Sequence, residues 1–330
     1  MDRTDEQDRP CAGARVLVTG GCGFVGRAVV AEFRRLGAEI TVVDQRPFPD
    51  DAVRSVVGDL TSPELREAAM TPDVTGVVHL AAITSVLRSA EQPAETFTMN
   101  VEVTQGLLEL ARLRGINRFI LGSTNAVVGN VGTATITEDI PLRPLTPYGA
   151  TKAACEMLLS GYAGAYGLTT TALRFTNIYG PGMEAKDSFV PRLMRAALAG
   201  TGVQVYGDGK QVRDLVHVQD IVAGITAAWQ REFTGTAIIG GGRSVSVLDL
   251  IAAAREATGA PIPVEHIPAK TGEMPAVIVD ISRARAELGY EPSYSLTDGL
   301  RTVWADFTAA AAAATEVADA GDLAASGPLR

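Results

Sequence analysis

Uninterrupted apolar runs alternate with segments of helical period through the first half of this chain. Arg15-Val16-Leu17-Val18-Thr19 reads as a buried strand. A glycine-rich turn follows, then a helix from about Phe24 to Leu36, then a second strand at Glu39-Ile40-Thr41-Val42-Val43. Further apolar runs recur at Gly76–Leu80, Phe119–Leu121 and Thr171–Phe175, separated by helical patterns around Val101–Arg114 and Lys152–Tyr166. Such alternation predicts an α/β fold with a parallel sheet covered on both faces.

Beyond about Asn177 the pattern changes. Gly and Pro punctuate the chain at Gly180-Pro181-Gly182, Gly207-Asp208-Gly209 and Pro261-Ile262-Pro263, and the elements shorten. The expected division is a nucleotide-binding domain over 14–176 plus about 216–240, and a smaller lobe over 177–215 plus about 241–308. Residues 1–13 read as a disordered polar leader. Residues 309–330 form an Ala-rich tail whose early part extends a helix and whose end frays.

Composition narrows the function. The chain has 330 residues, 46% of them hydrophobic, enough for a sizeable core. Lys plus Arg is 29 against 38 Asp plus Glu, a net charge of −9, which argues against nonspecific nucleic-acid binding. No apolar run is long enough to span a bilayer, so no membrane is expected. Cys11, Cys22 and Cys155 fit a reducing compartment, and the expected location is cytoplasmic. Neither the cysteines nor the three histidines have metal-ligand spacing, so no metal is expected.

The first turn carries chemistry. Its glycines fall as Gly20-x-x-Gly23-x-x-Gly26, after a strand and opening a helix. Gly20 permits the tight turn, Gly23 lets backbone approach a diphosphate, and Gly26 lets the helix pack against the sheet. The helix N-terminus offers free N–H groups to phosphate. Asp44 ends the second strand about 20 residues on, where an acid binds adenosine ribose hydroxyls. Its charge would repel a 2′-phosphate, so the expected cofactor is NAD, with Arg46 nearby weakening that preference.

Tyr148 and Lys152 stand four residues apart, on one face if the segment is helical. Thr146 suits the N-cap and Pro147 the first helical position. A nearby ammonium favours phenolate, so the pair reads as a tyrosine base tuned by lysine.

With these residues, the chain closely resembles the extended short-chain dehydrogenase/reductases, and within them the nucleotide-sugar epimerase/dehydratase family, over roughly residues 14–305. Thr19–Gly26 resembles its Thr-Gly-x-x-Gly-x-x-Gly turn, Gly58-Asp59-Leu60 its adenine segment, and His79-Leu80-Ala81-Ala82 its cofactor-lining strand end. Asn100 matches an asparagine opening the next helix. Ser123–Gly129 resembles the active-site strand, Leu173–Gly182 the substrate-facing turn, and Val205–Asp214 the nucleotide-binding segment.

The resemblance implies a Rossmann-type doubly wound sheet, bound NAD, a UDP-sugar substrate and a homodimer pairing helices near 98–114 and 150–166. It implies Tyr148 as base, Lys152 as its partner and ribose ligand, and Thr124 as the hydrogen-bonding hydroxyl at the sugar 4-oxygen. Implied cofactor contacts are Gly20, Gly23, Phe24, Val25, Gly26, Asp44, Asp59, Leu60, Leu80, Ala81, Ala82, Asn100 and Phe175, besides Tyr148 and Lys152. Implied substrate contacts are Ser85, Thr124, Asn125, Thr176, Asn177, Val190, Arg192, Val205, Tyr206, Arg213 and Lys270. Lys270 stands where the family carries arginine, and Val128 where it usually carries tyrosine. Val277 falls where hexose 4-epimerases often place a larger side chain near the sugar.

The 4,6-dehydratases typically follow the threonine with Asp-Glu; here Asn125-Ala126 follow, and neither does acid–base work. UDP-glucuronate decarboxylases commonly place a glutamate there. The simplest implied reaction is C4 epimerisation through a transient 4-ketose. UDP-glucose and UDP-glucuronate both stay open, with Lys186, Arg88 or Thr176 available for a carboxylate; UDP is preferred to dTDP by family frequency. The alternatives are a UDP-glucuronate decarboxylase, a 4,6-dehydratase, a 4-ketoreductase, or an NAD(H)-sensing binding protein.

Overall fold

The structure, a computed structural model, describes residues 9–269 and 275–325, with side chains through residue 313. Seven strands form one parallel sheet: β1 (Arg15–Thr19), β2 (Glu39–Asp44), β3 (Arg54–Val57), β4 (Gly76–His79), β5 (Arg118–Thr124), β6 (Thr169–Phe175) and β7 (Gly235–Ile239). Their order is β7-β6-β5-β4-β1-β2-β3, so the strand order reverses between β1 and β4. That crevice, beyond the strand C-termini, is where a doubly wound sheet binds its ligand. The apolar runs became strands because both sheet faces are covered; Val16, Leu17 and Val18 are all buried.

The described helices of eleven residues or more are α1 (Phe24–Arg35), α2 (Val103–Arg114), α3 (Pro147–Tyr166), α4 (Phe189–Ala199), α5 (Val218–Gln230), α6 (Val247–Thr258) and α7 (Leu296–Ala325). On one sheet face α1 meets α5, with Phe33 edge-on to Trp229 at 5.4 Å. On the other, Leu107, Leu108 and Ala111 of α2 join Cys155 and Leu159 of α3. Helix α3 starts as its sequence demands: the Thr146 hydroxyl accepts from Gly149 N at 3.1 Å, Pro147 follows, and Gly167 ends it at φ +70°. A wider π-type turn, Thr98–Glu102, precedes α2 and carries Asn100 inward.

A separate core, with Met183, Leu193, Met194, Ile251, Leu300 and Phe307, unites α4, α6 and α7 into the smaller lobe. Two segments depart from expectation. Residues 9–13, read as part of a disordered leader, form a packed turn: Cys11 is buried and its N–H bonds Leu36 O at 3.0 Å. Ile281, Ala284, Leu288 and Tyr290, expected in the smaller lobe, pack instead into the core under the sheet, and the Tyr290 hydroxyl donates to Gly240 O at 2.8 Å.

One buried ion pair welds the middle of the sheet to α3. Arg174 of β6 holds Glu156 of α3 through Nε (3.0 Å to Oε1) and Nη2 (2.8 Å to Oε2), and Ser123 of β5 donates to Oε1 at 2.5 Å. Both ionic side chains are almost fully enclosed. Breaking such a pair from one side strands a buried charge. Glu156→Gln should therefore cost about 3–5 kcal/mol in urea unfolding, and a Glu156→Leu/Arg174→Met double variant less than either single change. Singles that lose under about 1 kcal/mol would remove the pair's structural role.

Candidate active site

A cleft of about 1100 Å³ opens at the β1/β4 reversal and runs from the glycine turn to the smaller lobe. Its cofactor end is shaped by backbone. Gly20 has φ +70°, and a Cβ there would meet Ala81 N at 2.8 Å; a Cβ at Gly26 would meet Gly20 O at 2.1 Å. Side chains are thus excluded where β1 hands over to α1. No side chain caps α1 and its first turn holds no acid, so its N–H groups face the cleft unopposed. Asp44 Oδ2 accepts from Cys22 N at 3.0 Å, which ties the strand-end acid to the turn.

Gly20, Gly23, Phe24, Val25, Gly26, Asp44, Asp59, Leu60, Leu80, Ala81, Ala82 and Phe175 all line the cleft. The shape and donor set fit a dinucleotide: an uncapped helix start for a diphosphate, an acid for ribose hydroxyls, and apolar walls for the bases.

Asn100 does not line the cleft. It is buried, and its amide clamps Ile83 through Oδ1 (2.8 Å from Ile83 N) and Nδ2 (3.0 Å to Ile83 O) while Nδ2 also donates to Thr151 at 3.0 Å. It positions the wall rather than touching what lies inside.

Thr124, Tyr148 and Lys152 come together on the cleft floor. Burial pushes the Tyr148 phenol above its ordinary value, and a hydrogen bond with the Thr124 hydroxyl opposes that rise. The Lys152 ammonium donates to Gly122 O at 2.8 Å. Burial lowers its pKa, and the Cys155 and Glu156 side chains oppose that. The spacing of phenol and ammonium is therefore not by itself what sets Tyr148: burial is the larger influence and raises the phenol.

At the other end, Thr176, Asn177, Val190, Arg192, Val205, Tyr206 and Arg213 line the cleft. Asp214, next in sequence to Arg213, points inward and accepts from Gly241 N at 2.8 Å. The Arg192 guanidinium is already held by Asp187, with both bonds at 2.7 Å. Three expected contacts fall elsewhere. Ser85 caps the short helix Val86–Glu91 by accepting from Arg88 N, outside the cleft wall. Asn125 is drawn behind the wall by a tight turn in which Thr124 Oγ1 accepts from Ala126 N at 3.2 Å, and its amide has no partner among the described residues. Val277 is buried in the sheet core and is not among the residues lining the cleft. Lys270 lies outside the described residues.

Sequence reasoning missed two supports. Ser89 Oγ accepts from Tyr148 N at 3.2 Å and so fixes the start of α3; its sequence gives no signal. Glu156 continues the four-residue spacing of Tyr148 and Lys152, a visible sign that was passed over.

The comparisons with known proteins agree with this geometry. The model of the NAD dependent epimerase/dehydratase family matches residues 16–240. The chain belongs to that family. It is 33% identical over 317 residues to a UDP-glucose 4-epimerase of Corynebacterium glutamicum, covering 88% of this chain and 94% of that one. It is 35% identical over 302 residues to a dTDP-glucose 4,6-dehydratase of Streptomyces griseus, covering 86% and 91%. Among solved structures, a protein named MoeE5, in complex with UDP-glucuronic acid and NAD, superposes with TM-score 0.82 at 36% identity, covering 90% of this chain and all of that one.

Beneath the site lies His79, fully buried. Thr19 Oγ1 accepts from Leu80 N and Ala81 N, so its own proton goes to His79 Nδ1 at 2.7 Å. His79 Nε2–H then donates to Thr104 Oγ1 at 3.0 Å, and Thr104 to Asn100 O at 2.6 Å. Burial first, then Lys152, push the imidazole down to about 3. Folded protein thus keeps His79 neutral where unfolded chain, near the ordinary 6.5, takes a proton. Stability is whole above about pH 6.5 and is lost as pH falls, by about 2 kcal/mol at pH 5 from this residue. In NMR the His79 ring should show its neutral shift from pH 8 to pH 4; a midpoint above 5 would overturn the assignment.

Proposed function

We propose that this protein is an NAD-dependent UDP-sugar 4-epimerase. The observation that carries the reading is the meeting of Thr124, Tyr148 and Lys152 on the floor of the cleft whose far wall is the glycine turn. When bound, NAD would supply the hydride acceptor and donor. Thr124 and Tyr148 hold the 4-hydroxyl, and Tyr148 takes its proton while Lys152 stabilises the phenolate that results. On the return, Tyr148 gives the proton back to the 4-oxygen. Inversion at C4 would require the ketose to offer its opposite face within the cleft before Tyr148 returns the proton.

Dehydration needs an acid and a base beyond this set. The two positions after Thr124 hold Asn125, turned inward, and Ala126. That favours epimerisation over the 4,6-dehydratase reading, although dehydratases stand among the relatives. UDP-glucose and UDP-glucuronate are the two candidate substrates, since relatives are named for, or solved with, each.

NMR of the purified protein with each sugar and no added cofactor tests this. Galacto product from one of them is the expected outcome, and a 4-keto, 6-deoxy or pentose product would reject the reading. Tyr148→Phe should lower kcat by about 10³-fold or more while NAD stays bound; a ten-fold loss or less would remove Tyr148 as the base.

The protein is a homodimer in this reading, and its location is the cytoplasm. Helix α3 presents Ala150, Ala154, Met157 and Gly161 along one side, and Phe97 stands exposed before α2, an apolar face that a second copy would cover. All three cysteines are free, which supports a reducing compartment. Among the described residues, no helix is long and apolar enough to cross a membrane. Light scattering should give twice the chain mass, and Met157→Glu should halve it; a wild-type monomer would reject the dimer.

A further inference from the structure

The segment Gly182–Ser188 crosses from the smaller lobe over the start of α1. It is built rather than loose. Arg195 Nη1 donates to Glu184 O at 3.0 Å and to Lys186 O at 3.2 Å, and Lys186 N donates to Met183 O at 2.9 Å. From this fixed backbone the Lys186 ammonium reaches over the Phe24 ring, 5.3 Å from its centre, and lines the cleft. Phe24 is the first residue of α1, immediately after Gly23.

Other cleft cations have partners: Arg88 to Glu95, Arg192 to Asp187, Arg213 to Val212 O, and Lys152 to Gly122 O. Among the described residues, Lys186 has no carboxylate within ion-pair reach. Lys186 is exposed as a residue, yet partial burial holds its ammonium below the ordinary lysine value. A partly desolvated ammonium without a counter-charge faces a helix start that is itself uncapped and free of acid. Both features ask for one anionic group in the same place.

We propose that Lys186 is a diphosphate-binding residue, reaching from the nucleotide-sugar lobe across Phe24 to the diphosphate of the dinucleotide held at the start of α1. This rests on the reading of the cleft as an NAD site. The cofactor diphosphate is favoured over the sugar nucleotide's because Phe24 belongs to the cofactor turn, while Asn177, Tyr206 and Arg213 stand at the other end. Through Lys186, a loop of the substrate lobe takes part in retaining the cofactor.

Calorimetric titration of nucleotide-stripped wild type, Lys186→Met and Lys186→Arg with NAD, adenosine, UDP, UDP-glucose and UDP-glucuronate tests it. Lys186→Met should weaken NAD about tenfold, leave adenosine and UDP within about twofold, and be largely rescued by Lys186→Arg. Equal NAD affinity in wild type and Lys186→Met would overturn the inference alone. Weakening of UDP instead of NAD, or of UDP-glucuronate but not UDP-glucose, would move Lys186 to the substrate and overturn it too. Wild-type protein that binds no NAD would remove the functional reading and this inference with it.

Discussion

A continuous run of buried hydrogen bonds joins the cofactor turn to the catalytic helix, and the site depends on it. It starts at Thr19, passes through His79 and Thr104 to the Asn100 carbonyl, and continues from the Asn100 amide to Thr151. Thr151 Oγ1 then donates to Tyr148 O at 2.9 Å. Every member is polar and enclosed, so every donor needs its acceptor or a desolvation penalty remains. The run therefore has one low-energy arrangement. In it the end of β1, the end of β4, the turn before α2 and the start of α3 hold fixed distances from one another. The glycine turn and Tyr148 are more than a hundred residues apart, yet five side chains set their separation.

The ion pair of Arg174 and Glu156 does the same work from the other side. It fixes β6 to α3 two turns beyond Tyr148, and Ser123 attaches β5, whose next residue is Thr124. Thr124 and Tyr148 thus approach each other from elements that are each anchored elsewhere. A hydroxyl and a phenol on unanchored elements would lose much of their effective concentration, which is the usual worth of such fixing. Ile281, Ala284 and Leu288 return late in the chain to the sheet core and tie that stretch to it.

Much of this was legible in the chain. The apolar runs became the sheet because parallel strands are buried on both faces and so lack alternation. Thr146 and Pro147 marked the start of α3 because caps are local chemistry. The glycine turn and Asp44 were legible because their spacing is set by one strand, one turn and one helix. What escaped was set by distant contacts. The inward turn of Asn125 depends on the Thr124 cap, and Val277 on its pairing with the strand at Val212, where Val277 N meets Val212 O at 2.9 Å. Cys11 looked like part of a solvated leader because its partner, Leu36, lies 25 residues on. Ser89 supports Tyr148 across 59 residues with no local mark at all.

The state of Tyr148 shows where spacing ceases to be enough. Four residues on a helix do bring an ammonium to the same face as a phenol, but the sign of the result depends on desolvation. Here burial raises the phenol and lowers the ammonium, and the ammonium faces a carbonyl. A phenol in these surroundings becomes a base when more positive charge arrives beside it. At about 4 Å and an effective dielectric of about 20, one unit charge is worth about 4 kcal/mol, close to three pKa units. A charge of that size would oppose the rise that burial imposes on the phenol. An oxidised nicotinamide ring carries such a charge and a reduced one does not. In the proposed reading, Tyr148 would be a stronger base beside an oxidised dinucleotide than beside a reduced one, with Thr124 and Lys152 holding the geometry in both.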